Sequence, residues 1–277
     1  MPRLAFRLLV AFALAHAACS VHAQESVFID ELTSPELAAR VRNGATTALI
    51  PIGGTEQSGP HLVLGKHNVR VKALCAKIAA SLGNTLIAPV IAYVPEGSVD
   101  PPSSHMRFPG TITVPERTFE SVLEYAARSL RASGFRDVVF VGDHGSYQRN
   151  EQAVAARLNR DWAGTPARAH ALPEYYRAVE TQYRDALRAR GHSDAEIGTH
   201  AGLADTSLAL AIDARLVRAA ELASPNADAR HGVHGDPRRA DAGLGALGVD
   251  AIVRASVAAI RRATTDRQAA ATGSIAR

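Results

Sequence analysis

Only two cysteines occur in 277 residues. No disulfide framework can staple such a chain, so its stability must come from a buried core. Aromatic residues make up just 5%, with a single Trp, and Ala, Val and Leu carry the apolar content. No basic stripe interleaved with aromatics is present. The excess of 31 Lys+Arg over 27 Asp+Glu is spread through helical stretches, which reads as a solvated surface and excludes a nucleic-acid partner. Past the first two dozen residues, no segment is expected to reach transmembrane length. What is present suits a globular fold. Hydrophobic residues account for 47% and charged residues for 21%, which rules out a largely disordered chain. The length points to one domain, α/β or all-β.

The N-terminus reads as an export signal. Arg3 and Arg7 form a positive start, Leu8 to Ala18 an apolar run too short to span a bilayer, and Val21-His22-Ala23 a small-x-Ala cleavage site. The expected organisation is a signal peptide over 1–23 and one domain over 24–277, periplasmic or secreted. Cys19 invites a lipoprotein anchor, but His16 stands where a lipobox carries Leu, so anchoring ranks second. Cleavage leaves Cys75 as the one cysteine.

Two periods alternate beyond the signal. Thr46 to Ile52, Thr85 to Val90 and Asp137 to Gly142 are short apolar runs bounded by Gly, Pro or Asp, as in strands covered on both faces. Val71, Leu74, Cys75, Ile78 and Leu82 recur at helical spacing, stopped by Gly83-Asn84. Further helices are predicted over 115–132, 150–162, 173–190, 205–212 and 247–263, with Arg168 to Leu172 as an added strand and Gln268 to Arg277 frayed. This alternation predicts a single three-layer α/β/α sandwich with a mainly parallel sheet.

Three polar clusters interrupt the scaffold. Gly53 to Asn68 follows the first strand and contains Glu56, His61 and His67. Gly142-Asp143-His144-Gly145-Ser146-Tyr147 follows the third. Thr199 to Ser207 contains His200 and Asp205. The first two fall on the carboxyl edge of the sheet, where ligands of open α/β folds sit. Three loops bearing Glu, His and Asp are expected to form a catalytic or metal site.

These residues resemble a known family. Glu56-Gln57-x-Gly59-Pro60-His61-Leu62, Phe108-Pro109-Gly110-Thr111, Gly142-x-His144-Gly145, His200-Ala201-Gly202-x-x-Asp205-Thr206-Ser207 and Gly235-Asp236-Pro237 are similar, in order and spacing, to the creatininase (creatinine amidohydrolase) family, from about Ile29 to Arg262. The resemblance implies an α/β domain, metal-dependent hydrolysis of amide-type C–N bonds and a homo-oligomer, often a hexamer. It also implies a two-metal site. That site has a Glu, a His two positions later, an Asp bridge eleven positions after the Glu, a His after the third strand and a further acid. Carried over, Glu56 and His144 are kept. The bridge falls at His67, the second metal's His at Ser58, and the further acid at Ser146 or Leu203.

All the departures touch the second metal or its surroundings. Imidazole bridges two cations poorly but serves well as a terminal ligand. The expected centre is therefore one divalent metal, Zn²⁺ or else Mn²⁺, held by Glu56, His67 and His144 with an open fourth position. The expected activity is cleavage of a small amide or cyclic amide by metal-activated water. The alternative is a binding protein on this scaffold that turns nothing over. His200 is a candidate proton shuttle, or a loop cap. Asp205 is a general base, a fourth ligand, or the N-cap of its helix. Asp143 is expected to orient an imidazole, and His61 to hold backbone in its turn. Glu96-Gly97-Ser98 and His105-Met106-Arg107 lie on a Pro-rich loop expected to shape the pocket mouth.

Overall fold

The computed structural model describes residues 26–275, and side chains as far as Thr265. The expected signal peptide lies outside the described residues. Helix α1 (Ser34–Arg42) leads into β1 (Thr47–Ile52). Then come α2 (Lys66–Leu82), β2 (Thr85–Ile87), α3 (Glu116–Ala132), β3 (Asp137–Gly142), α4 (Gln148–Asp161) and β4 (Arg168–Ala171). Next, α5 (Pro173–Ala178) passes through a π-helical turn into α6 (Arg184–Arg188), followed by α7 (Asp194–Ile197), α8 (Leu203–Ile212) and α9 (Ala242–Ile275).

The four strands form one parallel sheet in the order β2-β1-β3-β4. Alternation along each strand divides the core. Leu49, Val139 and Val141 point into a layer with α2, α5, α8 and α9. Ala48, Ile50, Ile52, Val138 and Phe140 point into the other, with α3 and α4. This is the expected three-layer α/β/α sandwich with a parallel sheet. All six residues of β1 and of β3 are buried, as continuous apolar runs in a covered parallel sheet require.

Two elements differ from expectation. The strand predicted to reach Val90 pairs regularly only to Ile87, because Pro89 has no amide to donate. The last helix starts at Ala242 and continues to Ile275, five residues earlier than predicted and through the segment expected to fray. Its alanines favour that extension. The stretch Ala242–Thr265 is consequently long and apolar enough to cross a membrane, contrary to the sequence reading. In this fold it packs on the α2, α5 and α8 layer as a core helix.

Partnering Ile52 with Gly142 at the ends of β1 and β3 fixes the site. Glu56 lies four residues beyond one strand and His144 two beyond its neighbour. Gly53 permits a close approach. A Cβ there would stand 2.1 Å from Asn68 Oδ1 and 2.9 Å from the Asn68 backbone, so only glycine lets the first turn of α2 press against the strand end.

Candidate metal centre

Glu56 is fully buried, and its two oxygens face different neighbours. Oε1 lies 2.7 Å from His67 Nε2, 3.3 Å from Lys66 Nζ and 3.5 Å from His200 Nδ1. Oε2 lies 3.3 Å from both His105 Nε2 and His144 Nε2, and no donor satisfies it. Burial pushes the Glu56 carboxyl up, but Lys66, His144 and His67 together outweigh it, and the group is held well below its ordinary value.

Glu96 completes the Oε2 side. One ligand atom from each of Glu56, Glu96, His105 and His144 lies within 4.8 Å of the others. Glu96 is buried, and neither of its oxygens has a hydrogen-bond partner. Burial pushes it up to about 7. Buried carboxyl oxygens without donors are costly unless a cation meets them. Two carboxylates and two imidazoles form a donor set that suits zinc or manganese. These residues therefore fit a divalent ion.

Ser146 ties this side together. The Ser146 backbone N–H donates to His144 Nδ1 at 3.1 Å, with Ser146 Oγ 2.8 Å from the same nitrogen, and Ser146 Oγ donates onward to Pro95 O at 3.1 Å. These contacts hold the His144 ring with Nε2 towards Glu56 and anchor the residue before Glu96. At His105, Gln57 Nε2 donates to Nδ1 at 3.2 Å, so Nε2 frees its lone pair only when that amide turns over.

His67, expected as the third ligand, lies instead between two carboxylates. Its Nε2 faces Glu56, and its Nδ1 is 2.6 Å from Asp143 Oδ2. Burial and Lys66 push this imidazole down, but Glu56 and Asp143 prevail and its pKa is raised. Both nitrogens are taken up by carboxylates, with Arg70 Nη2 3.0 Å from Nδ1 as well, so neither is turned to an open metal position. Asp143 does orient an imidazole, while also accepting from Arg70 Nε and from Tyr175 Oη at 2.6 Å.

Asp205 is not the cap of α8, whose N-cap is Gly202. One of its oxygens accepts from Lys66 and from Ala201 N at 3.0 Å, the other from Arg70 Nη1 at 2.6 Å. Burial raises its pKa, but Lys66 and Arg70 hold it well below the carboxylate range. It is a counterion to two cations. His200 Nε2 donates to Gln57 O at 2.9 Å, which turns Nδ1 towards Glu56. Burial, then Lys66, push His200 down to about 3, so it is a neutral imidazole. His61 does not bind in the site. Its Nε2 donates to Ala201 O at 2.9 Å and so fastens the loop before α8.

That loop is fixed a second time. His200 and His234 pair as an antiparallel bridge. Beside them Gly235, at φ 152°, approaches two other glycines so closely that a Cβ would stand 2.6 Å from Gly202 Cα and 2.8 Å from Gly198 Cα. The Gly235-Asp236-Pro237 motif is thus a backbone stitch behind His200.

Sequence reading missed Lys66 altogether and gave Glu96 and His105 only a place at the mouth. One signal for Lys66 was available. A lysine in the first turn of a helix opposes the helix dipole, and no acidic residue shares that turn, so carboxylates from elsewhere had to hold it.

A family model for creatininase (creatinine amidohydrolase) matches residues 30–260. Creatinine amidohydrolase of Pseudomonas putida is 30% identical over 43% of this chain and 45% of that protein. The mycofactocin precursor peptide peptidase of Mycolicibacterium smegmatis is 32% identical over 40% of this chain and 42% of that one. The matched stretch thus spans less than half the length of either curated relative. Agreement in three dimensions is longer. The solved "Creatininase Mn" has a TM-score of 0.70 at 26% identity, covering 87% of this chain and 99% of that chain. A mutant creatininase of "Zn-Zn type" gives 0.71 at 26%, with the same coverage. By a match across most of its length and a shared fold, the chain belongs to the creatininase family.

Proposed function

We propose that this protein is a metal-dependent hydrolase that cleaves the C–N bond of a small amide or cyclic amide, with one divalent ion held by Glu56, Glu96, His105 and His144. The observation that carries the reading is the set of buried, donor-free oxygens of Glu56 and Glu96 facing two imidazoles. The names of two relatives, an amidohydrolase and a peptide peptidase, support amide cleavage.

A divalent ion at that position supplies Lewis acidity and lowers the pKa of water towards ~7. The chain's own residues do the rest. Neutral His200, its Nδ1 3.5 Å from Glu56 Oε1, is placed to take a proton at Nδ1 from the attacking water and return it to the leaving nitrogen. Gln57 O fixes its tautomer by accepting from Nε2. His67 and Lys66 hold Glu56 ionised, and Asp205 and Arg70 hold Lys66 and His67 in place. Four protein ligands close a tetrahedral zinc site, whereas an ion that takes five or six keeps room for water. Mn²⁺ is on that ground the better catalytic occupant, although Zn²⁺ was the first expectation from sequence. The reading retains the export address of residues 1–23, a homo-oligomer and no nucleic-acid partner.

The test is to strip the purified protein with chelator and assay it on a panel of amides. Hydrolysis lost on stripping and regained with Mn²⁺ or Zn²⁺ supports the reading. Metal-dependent ligand binding without product would replace it with a binding protein on the same scaffold.

A further inference from the structure

We infer that the Lys66 ammonium is a resident second cation of this centre, filling the Oε1 side of Glu56 and limiting the site to a single metal ion. The inference rests on the proposed metal position for the Oε2 side.

Lys66 is fully buried, a rare state for lysine unless it is paired. It contacts two carboxylates from distant parts of the chain, Glu56 at 3.3 Å and Asp205. Its helix does not help, since the N-terminal end of α2 carries the positive pole of the dipole. Only carboxylates placed to meet a cation explain its burial there.

Charge balance points the same way. Around the Oε1 side stand three carboxylates, Glu56, Asp143 and Asp205. Against them stand Lys66 and Arg70, with the His67 ring lying between Glu56 and Asp143. Lys66 and Arg70 alone already put a cation against each of the three carboxylates. A dication added there would face Lys66 and Arg70 at close range, in surroundings that screen charge poorly.

Without the ammonium, the same place would suit a metal. Glu56 Oε1 and Asp205 Oδ2 both face it, and His200 Nδ1 stands 3.5 Å from that Glu56 oxygen. Lys66 and Asp205 also line a cavity of about 130 Å³ together with Arg70, His144, Tyr176 and His200. Lysine takes the place of a second metal here, and Asp205 is its counterion.

The experiment compares wild-type protein with Lys66→Met, which keeps the apolar stem, and Lys66→Arg, which keeps the charge. Folding is checked by circular dichroism. Each is loaded with Mn²⁺, desalted, and read by elemental analysis and low-temperature electron paramagnetic resonance. Lys66→Met is expected to hold one equivalent more than wild type, about two against one, with the six-line signal of an isolated ion giving way to that of a coupled pair. Lys66→Arg is expected to match wild type. An unchanged count in folded Lys66→Met, a gain in Lys66→Arg, or two tightly held ions in wild type would each overturn the inference. The two readings fail separately. No metal in wild type but one ion in Lys66→Met would sink the His105/His144 centre while sustaining the role of Lys66. One ion in both would do the reverse.

Discussion

His67 Nε2 lies 2.7 Å from Glu56 Oε1, so His67 spends on a carboxylate the nitrogen that a ligand would turn to an ion. The two histidines on the other oxygen of Glu56, His105 and His144, are the ones placed to ligate. Variants separate the roles. Glu96→Gln, His105→Ala and His144→Ala should each weaken metal binding by more than ~100-fold. His67→Ala, which removes a positioning contact, should cost ~10–100-fold and leave stoichiometry unchanged. Calorimetric titration with Mn²⁺ checks both, and loss of all binding in His67→Ala would make it a ligand after all.

Replacing His200 probes the proton path. His200→Ala should lower kcat by ~10²–10⁴ at unchanged metal content, because its Nε2 is committed to Gln57 O. A loss of metal in parallel with activity would show a ligand instead.

Gly235→Ala tests the stitch behind His200. The added methyl would press on two backbones at under 3 Å, and strain of that kind costs on the order of 1–3 kcal/mol. The bridge from residue 234 to His200 should shift with it. Lowered thermal stability and lowered kcat, with metal affinity kept, are the expected pattern.

Glu151 gives a prediction about pH. It is fully buried under β3, neither oxygen has a partner, and burial raises its pKa well above 4.5. A carboxyl whose folded pKa is raised binds its proton more tightly in the native state. Its contribution to stability is therefore intact below about 4.5 and declines as pH rises above that value towards the folded pKa. Glu151→Met should remove this decline and stabilise the protein by on the order of 1–3 kcal/mol at neutral pH. Denaturant midpoints at pH 5 and pH 8 measure it. Equal gains at both would show that the charge is not the cause.

The sheet was legible because β1 and β3 are uninterrupted apolar runs, and the placement of Glu56 beside His144 followed from strand ends alone. Strand periodicity says nothing about loops. Glu96 and His105 come from the long connection between β2 and α3, His105 within a single 3₁₀ turn, and only the folded chain shows that both turn inward. His67 was read by its ligating capacity, which depends on neighbours that no spacing reveals. Asp143 comes from just beyond β3 and Glu56 from beyond β1, and together they hold both His67 nitrogens and raise its pKa against the push of Lys66. Asp205 looked like a cap because it opens a helix, yet it serves cations from another one.

The register that pairs Ile52 with Gly142 has a consequence for exchange with solution. Glu56 and His144 are placed by the sheet itself, whereas Glu96 and His105 arrive on the loop between β2 and α3. Loops open at a free energy far below that of global unfolding. An ion held jointly by the two can leave when the loop lifts, while the sheet stays folded and keeps half of the ligands in position. Stripping and reloading should then be reversible at neutral pH, with release faster than unfolding and limited by the loop.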